Sequence, residues 1–373
     1  MKTKLLIATD NFPPRWDGIG RFLTEIVPRI SEHFDITIVA PDYGSFEIPG
    51  VKIVKIPVFK LFKFGDFNLP KFKYFKIKKM VLQNDIVFIQ TIGSIGYLAL
   101  SVAKKFHKPL SAFMHSIESE LVPNALAGIL KKYSYSLIRK FMMKSYNKCD
   151  LLMVPSQGIA ELIHWQGIEK RTEVVHLGTD TEKFIPPKNK NEAKKLFGFS
   201  SEDIIIGYHG RISREKDLKT LLRAFVRLQS RFKNIKLMIV GEGLLEIKEM
   251  LSKREGVILI GPKNDVVPYL QAMDIYALTS LTETTSLSTL EAMSCELPVV
   301  ATSVGYIKEY ITSGINGFLF SKQDVYSLTK ILEKLITSQT LRLSIGKSAR
   351  KTILDKFNWD VTAKKIEFLL ENL

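Results

Sequence analysis

Only two cysteines, Cys149 and Cys295, occur in 373 residues. Thiols so few and so far apart give no disulfide framework, and no secretory leader follows Met1, so a reducing, cytoplasmic setting is expected. Long apolar stretches are missing as well. The longest run without a charge has eighteen residues, Ile86 to Ala103, and Gln90, Thr91, Gly93, Ser94, Gly96 and Ser101 interrupt it. A strand, a glycine turn and a helix account for it better than a membrane span does. No D-x-D pair sits at a strand end and no His/Cys cluster has metal-ligand spacing, so neither a metal nor another cofactor is expected. No Ser-His-Asp order or nucleophile elbow is present. Acids are scarce in one region above all. From Phe46 to Lys148 eighteen Lys and Arg stand against five Asp and Glu, so most of the formal net charge of +16 lies there.

What is present reads as a globular protein. Hydrophobic residues make up 46% and charged residues 25%, and the length suits two domains of ordinary size. The opening "MKTKLLIATDNFPPRWDGIGRFLTEIVPRI" is a strand, a Pro/Gly loop and a helix. Strand-like runs follow in "FDITIVAP", "VKIVKIPV", "DIVFIQT", "PLSAFMHS" and "CDLLMVPS", with helical stretches between them. A second series runs through "DIIIGYHGRIS", "IKLMIVGEG", "GVILIGP", "DIYALTS", "LPVVATS" and "GFLF". Short apolar strands alternating with helices make parallel sheets. The expected architecture is α/β: two Rossmann-like doubly wound domains, 1–182 and 183–355, facing across a cleft at the carboxyl ends of their strands, where such folds bind ligands. The closing segment, 356–373, is an amphipathic helix with Val361, Ile366, Phe368 and Leu369 as its apolar side. It either crosses back to the first domain or caps the second.

The basic region has a texture of its own. Lys60 to Lys79 holds seven lysines and six aromatic residues with one acid, and Leu121 to Lys148 holds no acid at all. Lysine interleaved with Phe and Tyr suits an anionic membrane interface, with stems and rings buried and amines at the headgroups. Lys60, Lys63, Lys71, Lys73, Lys76, Lys131, Lys132, Arg139 and Lys140 are the expected contacts. A solvated charged face is the bland alternative. No nucleic-acid module accompanies the patch, so a nucleic-acid partner is not expected.

Chemistry concentrates in "ETTSLSTLEAMSCELPVVAT". Glu283 and Glu291 bracket five hydroxyl residues and two leucines. Glu283 follows the strand "DIYALTS", and "SLSTLEAMSC" opens a helix whose free N–H groups suit a phosphate, with Ser286 and Leu287 at its start. One carboxylate can accept from sugar hydroxyls and the other from ribose hydroxyls, with a diphosphate between them. Ser288 with Glu291 also fits a capping box, which needs no ligand.

The stretch resembles the E-x7-E signature of retaining glycosyltransferases of the GT-B fold, particularly their large family 4. Further segments match in the same order: "FPPRWDGIGRFLTEI" its N-terminal glycine loop, "HLGTDTEKF" its inter-domain segment, "GRISREKDLKTLLRAF" its phosphate segment and "GINGFLF" its late turn. The resemblance implies that Arg211 and Lys216 bind the donor diphosphate, that Glu283 and Glu291 hold the nucleotide sugar, and that His115 lies near the reacting sugar. It implies front-face attack by the acceptor, with the leaving phosphate helping to take its proton. Residue chemistry agrees for the two cations, since a departing nucleoside diphosphate needs charge neutralisation. Gly18, at a helix start, allows close backbone approach to phosphate. Several positions depart from the family pattern. Its Gly after the phosphate Lys is Asp217, its Pro near the first Glu is Thr279, the glycines after that Glu are Thr284 and Ser286, and a later Gly is Glu296. The expected activity is metal-independent transfer of a hexose, glucose from UDP-glucose, to a lipid or lipid-linked acceptor by a protein peripheral at the inner face of the cell membrane. A soluble glycan acceptor and a sugar-nucleotide epimerase are the alternatives.

Overall fold

A computed structural model describes residues 2–15, 18–64, 67–115, 129–283 and 285–373; the side chains of 60–64, 67 and 129–135 are outside that description. The chain divides into two compact units, Met1–His176 with Trp359–Leu373, and Leu177–Asn358.

In the first unit β1 (Thr3–Ala8), α1 (Gly18–Ile30), β2 (Phe34–Pro41) and β3 (Lys52–Ile56) form one half of the sheet. A hairpin, β4 (Val58–Phe64) and β5 (Phe67–Pro70), leads to α2 (Tyr74–Gln83). The other half follows as β6 (Ile86–Ile89), α3 (Ser94–Lys105), β7 (Leu110–Phe113), α4 (Ile129–Tyr146), β8 (Leu151–Val154), α5 (Gln157–Trp165) and β9 (Thr172–Val174). The seven strands are parallel in the order β3-β2-β1-β6-β7-β8-β9, so the winding reverses between β1 and β6. Every residue of β6, β7 and β8 is buried, as expected where helices cover both faces of a sheet. The antiparallel hairpin went unread in the lysine-rich stretch, although Gly65-Asp66 is a two-residue turn signal, because charge and aromatics mask the strand pattern on either side of it.

The second unit contains α6 (Lys190–Lys195), β10 (Ile204–His209), a 3-10 turn (Arg214–Lys216), α7 (Leu218–Gln229), β11 (Ile235–Val240), α8 (Leu245–Ser252) and β12 (Val257–Gly261). Then come α9 (Val267–Ala272), β13 (Ile275–Leu278), α10 (Leu287–Ser294), β14 (Val299–Thr302), α11 (Ile307–Tyr310), β15 (Phe318–Phe320), α12 (Val325–Thr337) and α13 (Gln339–Lys356). Its six parallel strands run β12-β11-β10-β13-β14-β15, reversing between β10 and β13. The last helix, α14 (Trp359–Glu371), packs on α1 of the first unit, with Trp359 against Phe22 at 6.2 Å and Asp360 paired with Arg29 at 2.8 Å. Its buried stripe is Trp359, Thr362, Ala363, Ile366, Leu369 and Leu370. Val361 and Phe368, expected on that side, are exposed instead, because the 3-4 spacing through Trp359 and Ile366 turns them outward.

Candidate functional site

The carboxyl ends of β10 and β13 are neighbours where the second sheet reverses, the position at which a doubly wound sheet leaves an opening. Arg211 and Lys216 follow β10, Glu283 follows β13, and Glu291 lies on the helix after it. Lys216 Nζ donates to Glu283 Oε1 at 2.6 Å, and Ser280 Oγ donates to the same oxygen at 2.7 Å. Arg211 is not part of that cluster. Its guanidinium is 70% exposed and pairs with Glu215 at 2.9 Å, a contact of little worth in water that a ligand can replace.

Glu291 is 1% exposed, and its Oε2 lies 3.1 Å from Nε2 of His209, the last residue of β10. A buried carboxylate needs such a partner. Sequence reasoning missed His209, although its place at a strand end just before Gly210-Arg211 was a usable signal. The capping box is not formed. The helix starts at Leu287, so Ser286 is the N-cap and accepts from Thr289 N, and Glu291 points inward from the second turn rather than back to the helix start. Leu287 is half-buried there.

The backbone of the Arg211 segment is braced by the loop that follows β11. Ile212 N donates to Glu242 O at 2.7 Å and Leu244 N to Ile212 O at 2.8 Å. A Cβ on Gly243 would lie 1.9 Å from Ile212 O, so only glycine allows this approach. Leu281 N donates to Glu215 O at 2.7 Å, tying the cationic turn to the loop that carries Glu283.

In the first unit Gly18 opens α1, is exposed, and has nothing within 4 Å of where a Cβ would stand. His115, just past β7, has Nε2 2.9 Å from Gln90 Oε1 and lies against Phe22 and Phe113, with ring centroids 4.7 and 4.5 Å away. Burial disfavours the imidazolium and pushes its pKa down to about 3, so the ring is neutral and serves as a hydrogen-bonding group. Asp10, beyond β1, was also missed: its carboxylate accepts from Gly93 N, Ile95 N and Gly96 N at the start of α3, and so ties the end of β1 to that helix start.

Among the described residues, the helical parts of the two basic segments, in α2 and α4, lie on one side of this unit. Lys78 of α2 sits over the Phe106 ring at 5.1 Å, and Tyr97 of α3 meets Phe141 of α4 at 5.0 Å, so α2, α3 and α4 pack in a row on one sheet face. Lys71, Lys73 and Lys76 are exposed around Phe72 and Phe75, which are 71% and 83% exposed, and Arg139 and Lys140 are exposed beside Leu137. The side chains of Lys60, Lys63, Lys131 and Lys132 lie outside the described residues, as do residues 121–128 of the second basic segment. Among the described residues no helix is long and apolar enough to cross a membrane.

The profile of Glycosyltransferase Family 4 matches residues 16–183, and that of Glycosyl transferases group 1 matches residues 189–352. Together they span most of both units. The chain is a family 4, group 1 glycosyltransferase. Among relatives of this glycosyltransferase, the capsular polysaccharide biosynthesis glycosyltransferase CapM of Staphylococcus aureus is 28% identical over 58% of the chain, and the match covers 60% of that protein. The alpha-monoglucosyldiacylglycerol synthase of Streptococcus pneumoniae is 25% identical over 89% of the chain and 78% of its own length. The fold is that of GT-B enzymes: HepE of Anabaena, crystallised in complex with UDP, superposes with a TM-score of 0.80 at 19% identity, covering all of both chains.

Two departures of this glycosyltransferase from its family's glycines now have a physical reading. Asp217 has φ 44° and ψ 47°, and Glu296 has φ 59°; both are left-handed conformations that glycine adopts without strain. Asp217 ends the cationic turn and accepts from Thr220 Oγ1 at 2.6 Å, a local bond that helps an aspartate tolerate the position. Thr284 lies outside the described residues.

Proposed function

We propose that this glycosyltransferase moves a hexose, glucose from UDP-glucose, with retention of configuration, to a lipid or lipid-linked acceptor at the inner face of the cell membrane. The observation that carries the donor half is the Lys216–Glu283 pair beside Arg211 at the reversal of the second sheet. Lys216 is mostly buried and already charge-balanced by Glu283, so a diphosphate arriving there adds negative charge that the exposed, weakly held Arg211 is free to meet. The two cations then stabilise the departing nucleoside diphosphate, the role a divalent ion plays in other transferases, and no metal is required. Glu283 holds the hexose through its hydroxyls, Glu291 the ribose, and the amides at the start of α10, with Ser286 and Leu287, the phosphates. The acceptor hydroxyl attacks from the side the phosphate leaves, and a phosphate oxygen takes its proton. His115, held neutral, hydrogen-bonds a sugar or acceptor hydroxyl.

The membrane half rests on the lysine row around Phe72 and Phe75, where amines can reach anionic headgroups while rings bury at the interface. The named activity of the monoglucosyldiacylglycerol synthase relative supports a lipid acceptor. The capsular relative favours a second reading, the same transfer to a soluble glycan. A nucleotide-sugar screen with membrane extract as acceptor tests the activity. Glu283→Gln is expected to lower turnover at least about 100-fold while the protein stays folded, a loss of roughly 3 kcal/mol of transition-state stabilisation. Wild-type turnover in that variant removes the donor reading. Flotation with liposomes is expected to capture the chain only when anionic lipid is present, and Lys71→Glu/Lys73→Glu/Lys76→Glu is expected to abolish capture. Capture that survives both changes rules out this lysine row as the membrane contact.

A further inference from the structure

Resting on the donor-site reading above, we infer that Ser280 and Thr279 are positioning residues that fix which oxygen of Glu283 meets the sugar. Both are 0% exposed, and both sit in the two positions after β13. Ser280 Oγ and Lys216 Nζ donate to one oxygen, Oε1, at 2.7 and 2.6 Å. A carboxylate oxygen offers two lone-pair directions, so Oε1 is saturated and Oε2 is the oxygen left for a ligand hydroxyl. Were the two donors split between both oxygens, each oxygen would keep one free lone pair and neither would be singled out for the sugar.

The holder is itself held. Thr302 Oγ1, at the end of β14, donates to Ser280 O at 2.6 Å, so the serine cannot drift with its loop. Thr279 Oγ1 donates to Lys216 O at 2.9 Å or to Asp217 O at 3.0 Å, which ties the cationic turn to the same strand end. Thr279 stands where the family pattern has proline, which has no hydroxyl for that bond. Asp217 is strained in its left-handed conformation, so the turn needs a tie that a glycine at this position would make less necessary. Two adjacent buried hydroxyls therefore set the two ends of the Lys216–Glu283 pair, one through the lysine's backbone and one through the glutamate's side chain.

The test separates hexose recognition from nucleotide recognition. Affinities for UDP and UDP-glucose, or for the pair that the donor screen selects, are measured by calorimetry on the full chain. Ser280→Ala is expected to weaken UDP-glucose binding about ten-fold and leave UDP binding unchanged, the size of one lost hydrogen bond to a charged group. Ser280→Cys, a near-isostere with a weak donor, is expected to fall between and serves as the test if the alanine variant does not fold. Thr279→Val is expected to weaken both ligands through Lys216, and Thr279→Ser to restore them. On a Glu283→Ala background, which has no acceptor for the serine, Ser280→Ala is expected to cost nothing further. Equal losses for UDP and UDP-glucose in Ser280→Ala mean a merely structural hydroxyl and overturn the inference, as does no loss at all. A wild-type chain that binds no nucleoside diphosphate overturns the donor reading, and the inference with it. One that binds UDP and UDP-glucose equally overturns the inference alone.

Discussion

His115 makes the stability of the first unit depend on pH in a calculable way. Its imidazole lies against Phe22 and Phe113, and burial lowers its pKa from 6.5 to about 3. A group whose folded pKa is depressed contributes stability above its unfolded pKa and loses it as pH falls toward the folded value. The unfolded chain begins to take up a proton near 6.5 that the folded chain refuses, so stability starts to fall there and goes on falling to about pH 3. At about pH 5 the loss relative to pH 8 is roughly 2 kcal/mol. That figure is set by the unfolded pKa and changes little wherever the folded value lies below 4.5 or so. The perturbation is His115→Gln, which keeps a polar group beside Gln90 and cannot be protonated. Trp359 is buried against Phe22, and all three tryptophans fall in the first unit's span, so tryptophan fluorescence in urea reports this unit. Wild type is expected to lose about 2 kcal/mol more than His115→Gln between the two pH values. Parallel pH profiles for the two proteins refute the claim that His115 is held neutral by its surroundings.

The strand-by-strand layout was legible because parallel strands covered on both faces read as short apolar runs between turn and helix signals, as β6, β8, β10 and β13 do. The cationic and acidic candidates were legible as types at strand ends. Their partners were not. That Lys216 meets Glu283 while Arg211 turns to Glu215 depends on side-chain reach across adjacent strand ends, which spacing along the chain does not encode. The capping-box alternative at Ser288 arose because three hydroxyl residues, Ser286, Ser288 and Thr289, all satisfy the same local rule, and packing of the helix decides for Ser286. His209 escaped notice because its partner Glu291 is 82 positions away and the pair is buried. The hairpin in the basic stretch was hidden for the opposite reason, since its residues suit a surface in any conformation.

Glu296→Gly is expected to raise stability by about 1 kcal/mol, because glycine adopts the left-handed φ of 59° without strain; a lower melting temperature in the variant contradicts that account. Gly243→Ala is expected to act in the other direction and at a distance. Its Cβ would stand 1.9 Å from Ile212 O, and neither backbone can yield without disturbing the bonds from Ile212 N to Glu242 O and from Leu244 N to Ile212 O. The expected cost is about 1–3 kcal/mol of stability, together with weakened diphosphate binding, since the displaced strand end carries Arg211. A variant that loses stability but binds UDP as tightly as wild type shows that Arg211 reaches its ligand by side-chain flexibility alone. In that case the brace from the loop after β11 serves the fold and not the site.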